Sequence, residues 1–166
     1  MRIKLLLAAS ALALCLAFPA GAVDYTLAGA VAFEASHPGF LSTTVEPAPA
    51  SFLDRVSELE AMQTKMAAAR YISEPVDFWS ISWEGDCEDL ALAAMQELRS
   101  KGWPANALHI LVRPPFPKEK AGHAILCAWI SKSGPLCIDQ FNKATLLERL
   151  PGKWFRVGFF VQEASR

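Results

Sequence analysis

The chain is short of the residues that most often build cofactor and metal sites. It has three histidines and four cysteines in 166 residues. The cysteines and His123 show none of the paired short spacings of a structural zinc site, which argues against one. Charge is also nearly absent as a signal. The formal net charge is −1, and no basic stripe runs through the sequence, so nucleic acid is excluded as the expected partner class. There is no internal repeat and no low-complexity tract. The one long uncharged apolar run, Leu5 to Phe18, is too short to read as a membrane span.

That run has a different meaning. Arg2 and Lys4 precede it, and Ala20-Gly21-Ala22 follows it as a small-residue cleavage site. Residues 1–22 therefore read as a signal peptide and residues 23–166 as one mature domain, exported to the periplasm or beyond and not inserted in a membrane. Leu14 stands before Cys15, where a lipoprotein would need a small residue. Cleavage removes two positive charges and no acid, which takes the net charge from −1 to −3. It also leaves three cysteines, an odd number for an oxidising compartment, so one thiol is expected to stay free. Cys87 is the candidate, because Cys127 and Cys137 lie in neighbouring strand-like segments.

Residues 23–50 read as an extended, loop-rich lead-in punctuated by Pro38-Gly39, Pro47 and Pro49. A helix is expected from Ser51 to Arg70, with Ser51 as N-cap and Asp54 in the box position. Leu53, Val56, Leu59, Met62 and Met66 form its apolar stripe, with Arg55, Glu58 and Lys65 on the solvent side. Phe78, Trp79 and Trp83 form an aromatic cluster, read as core packing or as a wall beside the next motif. A second helix spans Asp86 to Lys101, with Cys87, Leu90, Ala94 and Leu98 on one face and Gly102 and Pro104 as its stop. Strands follow at Leu108–Val112, Gly122–Ile130 and Leu136–Phe141, the last two forming a hairpin that turns at Ser131–Gly134. A short helix over Lys143–Leu150 and a strand over Trp154–Val161 close the chain. Helices first and an antiparallel sheet after make an α+β fold.

The chemistry concentrates at three positions. A thiol attacks only as thiolate, and a helix start favours the anion, which is where Cys87 stands. In a hairpin centred near Lys132, Ile125 faces Asp139 and Cys127 faces Cys137. His123 and Asp139 then become diagonal neighbours on one face, within hydrogen-bond reach. Asp139 can orient His123, and His123 can act as base for Cys87. His37 and His109 read as ordinary surface or core residues. The same register leaves two options for Cys127 and Cys137, a cross-strand disulfide or two buried thiols. Asp86, Glu88 and Asp89 crowd the nucleophile with three carboxylates in one turn, either a solvated helix start or ligands for a hard cation such as calcium.

Asp77-Phe78-Trp79, Gly85-Asp86-Cys87-Glu88-Asp89, Gly102-Trp103-Pro104, Gly122-His123-Ala124 and Ile138-Asp139 together resemble the bacterial transglutaminase-like cysteine proteinases, which include periplasmic LapG-type peptidases. The likeness spans about residues 70 to 142. It implies a papain-like, transglutaminase-type core and a catalytic Cys87, His123 and Asp139. It also implies calcium held by Asp86, Glu88 and Asp89, and a protein substrate, such as a cell-surface or periplasmic protein. Two departures stand out: Leu90 where the family often has tyrosine, and Gln140 where it usually has asparagine after the aspartate. The expected function is an exported cysteine peptidase. Transglutaminase-like acyl transfer and a non-catalytic calcium-responsive binding module are the alternatives.

Overall fold

The computed structural model describes residues 23–74 and 76–158. The expected signal peptide, residues 1–22, lies outside the described residues, as do Pro75 and residues 159–166.

Among the described residues, three α-helices and seven strands follow in chain order: α1 (Val23–Ser36), α2 (Val56–Ala68), β1 (Arg70–Tyr71), β2 (Glu84–Gly85), α3 (Cys87–Ser100), β3 (Leu108–Arg113), β4 (His123–Ile130), β5 (Gly134–Ile138), β6 (Thr145–Leu146) and β7 (Phe155–Arg156). Five strands form one antiparallel sheet in the order β6-β5-β4-β3-β7. The fold is α+β, as the element order implies.

The central strand β4 organises the packing. Its even residues Ala124, Leu126, Ala128 and Ile130 enter the main core with Leu90, Ala91, Ala94 and Leu98 of α3 and Leu59, Met62 and Met66 of α2. Its odd residues Ile125 and Cys127 turn to the other face, against Leu111 and Cys137, with Leu150 and Trp154 covering them. This two-residue alternation is the pleat expressed as burial. It places α3 across one face of the sheet, with its N-terminus at the start of β4.

The hairpin has the expected register: Cys127 pairs with Cys137 and Leu126 with Ile138. Cys127 and Cys137 are joined as a disulfide and Cys87 is free, so of the two options for the pair the bridge is the one adopted. Asp139 directly follows the last residue of β5, just beyond the paired ladder.

Several local expectations are corrected. Residues 23–36 form a helix, not an extended lead-in. That stretch has no proline before Pro38, and Ala30 and Phe33, three apart, bury one side of it. Ser51 is not a helix N-cap. Ala50–Arg55 is a 3₁₀ turn without a side-chain cap, and α2 begins at Val56. Leu53 falls off the apolar stripe and is exposed, whereas Leu59, Met62 and Met66 are buried. Arg70 leaves the helix to pair with Glu84 in a short parallel β1–β2 contact that has no periodic signal. The segment 143–150 is strand β6 followed by a 3₁₀ turn at Leu147–Arg149, because pairing with Leu136 and Cys137 outcompetes a helix this short. Of the expected strand over 154–161, β7 covers Phe155–Arg156, and residues 159–161 lie outside the described residues.

Candidate active site

Strand β2 carries the chain to the start of α3, where Asp86 is the N-cap and Cys87 the first helical residue. Asp86 makes no side-chain capping bond. Gly85 is required by close approach: a Cβ there would lie 2.1 Å from Oδ2 of Asp89. Asp89 in turn accepts the Ser80 N–H at 2.6 Å, so it ties the preceding loop to the helix start.

The Cys87 sulfur accepts the N–H of Ala124 at 3.3 Å and donates its proton to Oε2 of Glu88 at 3.2 Å. Its pKa stands well above the usual thiol value. Burial is the first cause and the neighbouring Glu88 the second, while the Ala124 N–H pulls the other way. As it stands, Cys87 is held as a thiol.

His123 begins β4 immediately before Ala124, so the residue that touches the sulfur follows the imidazole directly in the chain. Gly122 makes this entry possible, since a Cβ there would meet the Arg113 carbonyl oxygen at 2.5 Å. Nε2 of His123 lies 3.0 Å from Oδ2 of Asp139, and the two side chains are 11% and 5% exposed. An ionised carboxylate only accepts, so Nε2 carries a proton, and in the neutral ring Nδ1 is the basic nitrogen. The imidazole lies between Phe141 and Trp154, with ring centroids 5.5 and 6.1 Å away. Asp139 also accepts the N–H groups of Phe141 and Asn142 at 2.8 and 2.6 Å. Burial alone would raise its pKa. The bonds from His123, Asn142 and Phe141 outweigh burial and hold it below the usual carboxylate range. Cys87, His123 and Asp139 thus gather at one end of the sheet, with the thiol bonded to Ala124 and Glu88 rather than to the imidazole.

The acids divide differently from the sequence expectation. Asp86 and Glu88 lie together, and Asp77, outside the expected set, meets Glu88 as well, while Asp89 lies close enough to Asp86 to feel its charge. Glu88 is pushed up to about 10 by burial first and then by its contacts with Asp86 and Asp77. Asp77 and Asp86 are themselves raised, mainly by burial. Oδ2 of Asp77, Oδ1 of Asp86 and Oδ2 of Asp89 are buried without a hydrogen-bond partner. Burial also raises Asp89, to about 6, although the Ser80 bonds oppose the shift. Among the described residues no three His, Cys, Asp or Glu side chains converge into a ready-made metal cage. The donor chemistry nevertheless fits a hard divalent cation: clustered carboxyls with unpartnered buried oxygens lack only positive charge.

The expected aromatic wall is split. Trp79 is buried and donates to Oδ1 of Asp77, Trp83 lies under the Lys65 ammonium, and Phe78 is exposed. His109 is a core residue, as expected. It is bonded to the Asn106 carbonyl and pushed down to about 4 by burial. Sequence reasoning missed Asp77 as a partner of Glu88, the Ala124 N–H, and Asn142. Asp77 lies within a recognised motif, but nothing in its spacing connects it to residues 86 and 88.

No curated protein matches the chain by sequence. Among solved structures, Legionella pneumophila LapG superposes with a TM-score of 0.52 at 23% identity, over 61% of this chain and 62% of that one. Its calcium-bound form gives 0.53 at 22% identity, over 62% and 63% of the two chains. Its EGTA-treated form gives 0.52 at 22%, over 62% and 61%. The chain thus spans less than two thirds of LapG, and the likeness is one of fold. The sequence profile of the bacterial transglutaminase-like cysteine proteinases matches residues 17–152, most of the chain. With the helix-start cysteine set against the start of β4 and a His–Asp pair beside it, that match makes the chain a member of the bacterial transglutaminase-like cysteine proteinase family.

Proposed function

We propose that the protein is an exported cysteine peptidase that cleaves a protein substrate through Cys87, His123 and Asp139. The observation that carries this reading is the Nε2–Oδ2 bond of His123 and Asp139 next to a free cysteine that touches the residue following His123. Nδ1 of His123 takes the Cys87 proton, and the thiolate attacks the scissile carbonyl. Asp139 keeps the imidazole in the tautomer with Nδ1 free and stabilises it once charged. The backbone N–H of Cys87 supplies part of an oxyanion hole. His123 then returns the proton to the leaving amine, and water attack on the thioester releases the second product.

Asp77, Asp86 and Glu88 are the residues that would hold calcium, and Asp89 steadies the loop behind them. A bound divalent cation supplies positive charge beside a thiol now surrounded by acids. The calcium-bound LapG structure supports this reading by analogy. Residues 1–22 serve as a cleaved signal peptide. The mature domain works in the periplasm or outside the cell on a periplasmic or surface protein.

The test is labelling of purified protein beginning at Val23 with a thiol-reactive, peptide-like electrophile, with calcium and with a chelator. Mass spectrometry should place the adduct on Cys87, faster with calcium. The same preparation should hydrolyse an unfolded protein, and Cys87→Ala should do neither. A wild-type protein that cleaves no polypeptide and labels at Cys87 no faster than denatured protein would refute the peptidase assignment.

A further inference from the structure

We infer that Asn142 is the positioning residue that holds the Asp139 carboxylate in the orientation that meets His123. The inference rests on the reading of Asp139 as the orienter of His123, and it names a residue that no sequence motif marks.

The geometry is asymmetric. Oδ1 of Asp139 accepts the backbone N–H of Phe141 at 2.8 Å and that of Asn142 at 2.6 Å. Those two bonds close a turn at the end of β5 and use up one oxygen. The side-chain amide of Asn142 then reaches both oxygens, at 3.2 Å to Oδ1 and 2.9 Å to Oδ2. Oδ2 is also the atom that meets Nε2 of His123 at 3.0 Å. The Asn142 amide is therefore the only side chain besides His123 with a hydrogen bond to the carboxylate among the described residues, and it bears on the same oxygen. The two backbone donors are the shorter bonds at Oδ1, with the Asn142 amide a longer third. Rotation about the last side-chain bond of Asp139 is restrained at Oδ2 by Asn142, independently of His123.

This matters because Asp139 is 5% exposed at its side chain and has little water to replace a lost donor. A buried carboxylate short of donors protonates or turns, and a protonated or turned Asp139 no longer selects the Nε2–H tautomer. Asn142 itself is exposed, so replacing it does not open the core. Gln140 cannot serve in its place. Its amide nitrogen and oxygen are both buried without a partner.

The experiment uses the mature protein with Asn142→Ala and Asn142→Asp. The second variant keeps the shape of the side chain and replaces its donors with acceptors. Nitrogen NMR of His123 and carbon NMR of the Asp139 carboxyl are followed against pH, and kcat and KM are measured on a protein substrate. In the wild-type protein His123 should be a single Nε2–H tautomer. Both variants should show mixed tautomers, and the Asp139 titration should move up by about one pH unit. The kcat value should fall roughly 10- to 100-fold with KM nearly unchanged, as for loss of alignment. Asn142→Asp should be at least as impaired as Asn142→Ala, which a space-filling role would not produce. Unchanged His123 tautomer and Asp139 titration in Asn142→Ala would overturn the inference. The NMR measurements need no substrate, so a protein that hydrolyses nothing would sink the peptidase reading while this result still decides the role of Asn142.

Discussion

Glu88 should make the calcium-free protein lose stability as pH rises through neutrality. Its folded pKa is about 10 against an ordinary 4.5, because it is buried and meets Asp86 and Asp77. Between those values the folded state holds a proton that the unfolded state has released, so stability falls with increasing pH. The window from pH 6.5 to 8 isolates the effect. Asp89, raised to about 6, has the same sign but has titrated by then. His109, depressed to about 4, works in the opposite direction but only up to its ordinary value of 6.5. The raised Cys87 thiol contributes only at higher pH. One and a half pH units at about 1.4 kcal/mol per unit gives a loss of roughly 2 kcal/mol. For a domain of this size that is roughly 4–8 °C in Tm. Asp77 and Asp86 are raised too and add in the same direction. The assay is thermal and urea unfolding in chelator at pH 6.5, 7.25 and 8. Wild-type protein should show the slope. Glu88→Gln, which mimics the protonated acid, should show a much smaller slope and be more stable at pH 8. A chelated wild-type protein equally stable at pH 6.5 and 8, or a Glu88→Gln protein with the full slope, would refute the claim that Glu88 is held protonated.

Calorimetry of chelator-stripped protein should show calcium binding that Asp77→Asn weakens as strongly as Glu88→Gln, whereas an intact signal in Asp77→Asn would return Asp77 to a purely structural role beneath Trp79. Asp139→Asn should leave the fold intact and cut kcat by several orders of magnitude, on the order of 10⁴ by analogy with serine triads; a loss below about tenfold would remove Asp139 from the orienting role. Reduction of the Cys127–Cys137 disulfide should cost about 2–3 kcal/mol, the value for a short closed loop. It should also loosen the hairpin that carries His123 and Asp139, seen as faster amide exchange at Leu126 and Ile138, and unchanged exchange there would show that the ladder alone holds the hairpin.

Particular residues show how far local pattern reaches. The helix beginning at Cys87 was legible because the glycine and acids that precede and open it, the apolar spacing within it and the Gly102-Trp103-Pro104 stop all agree within one segment. The helix at Val23–Ser36 was hidden by the prolines that follow it. The Lys143–Leu150 segment misled because its own composition says nothing of the free edge of β5 that it joins. Ser51 has the chemistry of an N-cap, yet the chain enters α2 through a 3₁₀ turn that does not use it.

The sequence by itself determined the hairpin register and, through it, the shared face of His123 and Asp139 and the facing of Cys127 and Cys137. In a strand pair, one turn position sets every pairing, and the two-residue period then sets every face. Only the tertiary structure decided which acids meet. Asp77 joins Asp86 and Glu88 from a separate segment, while Asp89, the immediate neighbour of Glu88, turns to Ser80 beneath Gly85. The Ala124 N–H on the sulfur and the Asn142 amide on Asp139 belong to the same class. Period and capping are properties of consecutive residues. Contacts between segments depend on how α3 lies across the sheet and how the loops close over its end, and that is set by the packing of the whole core.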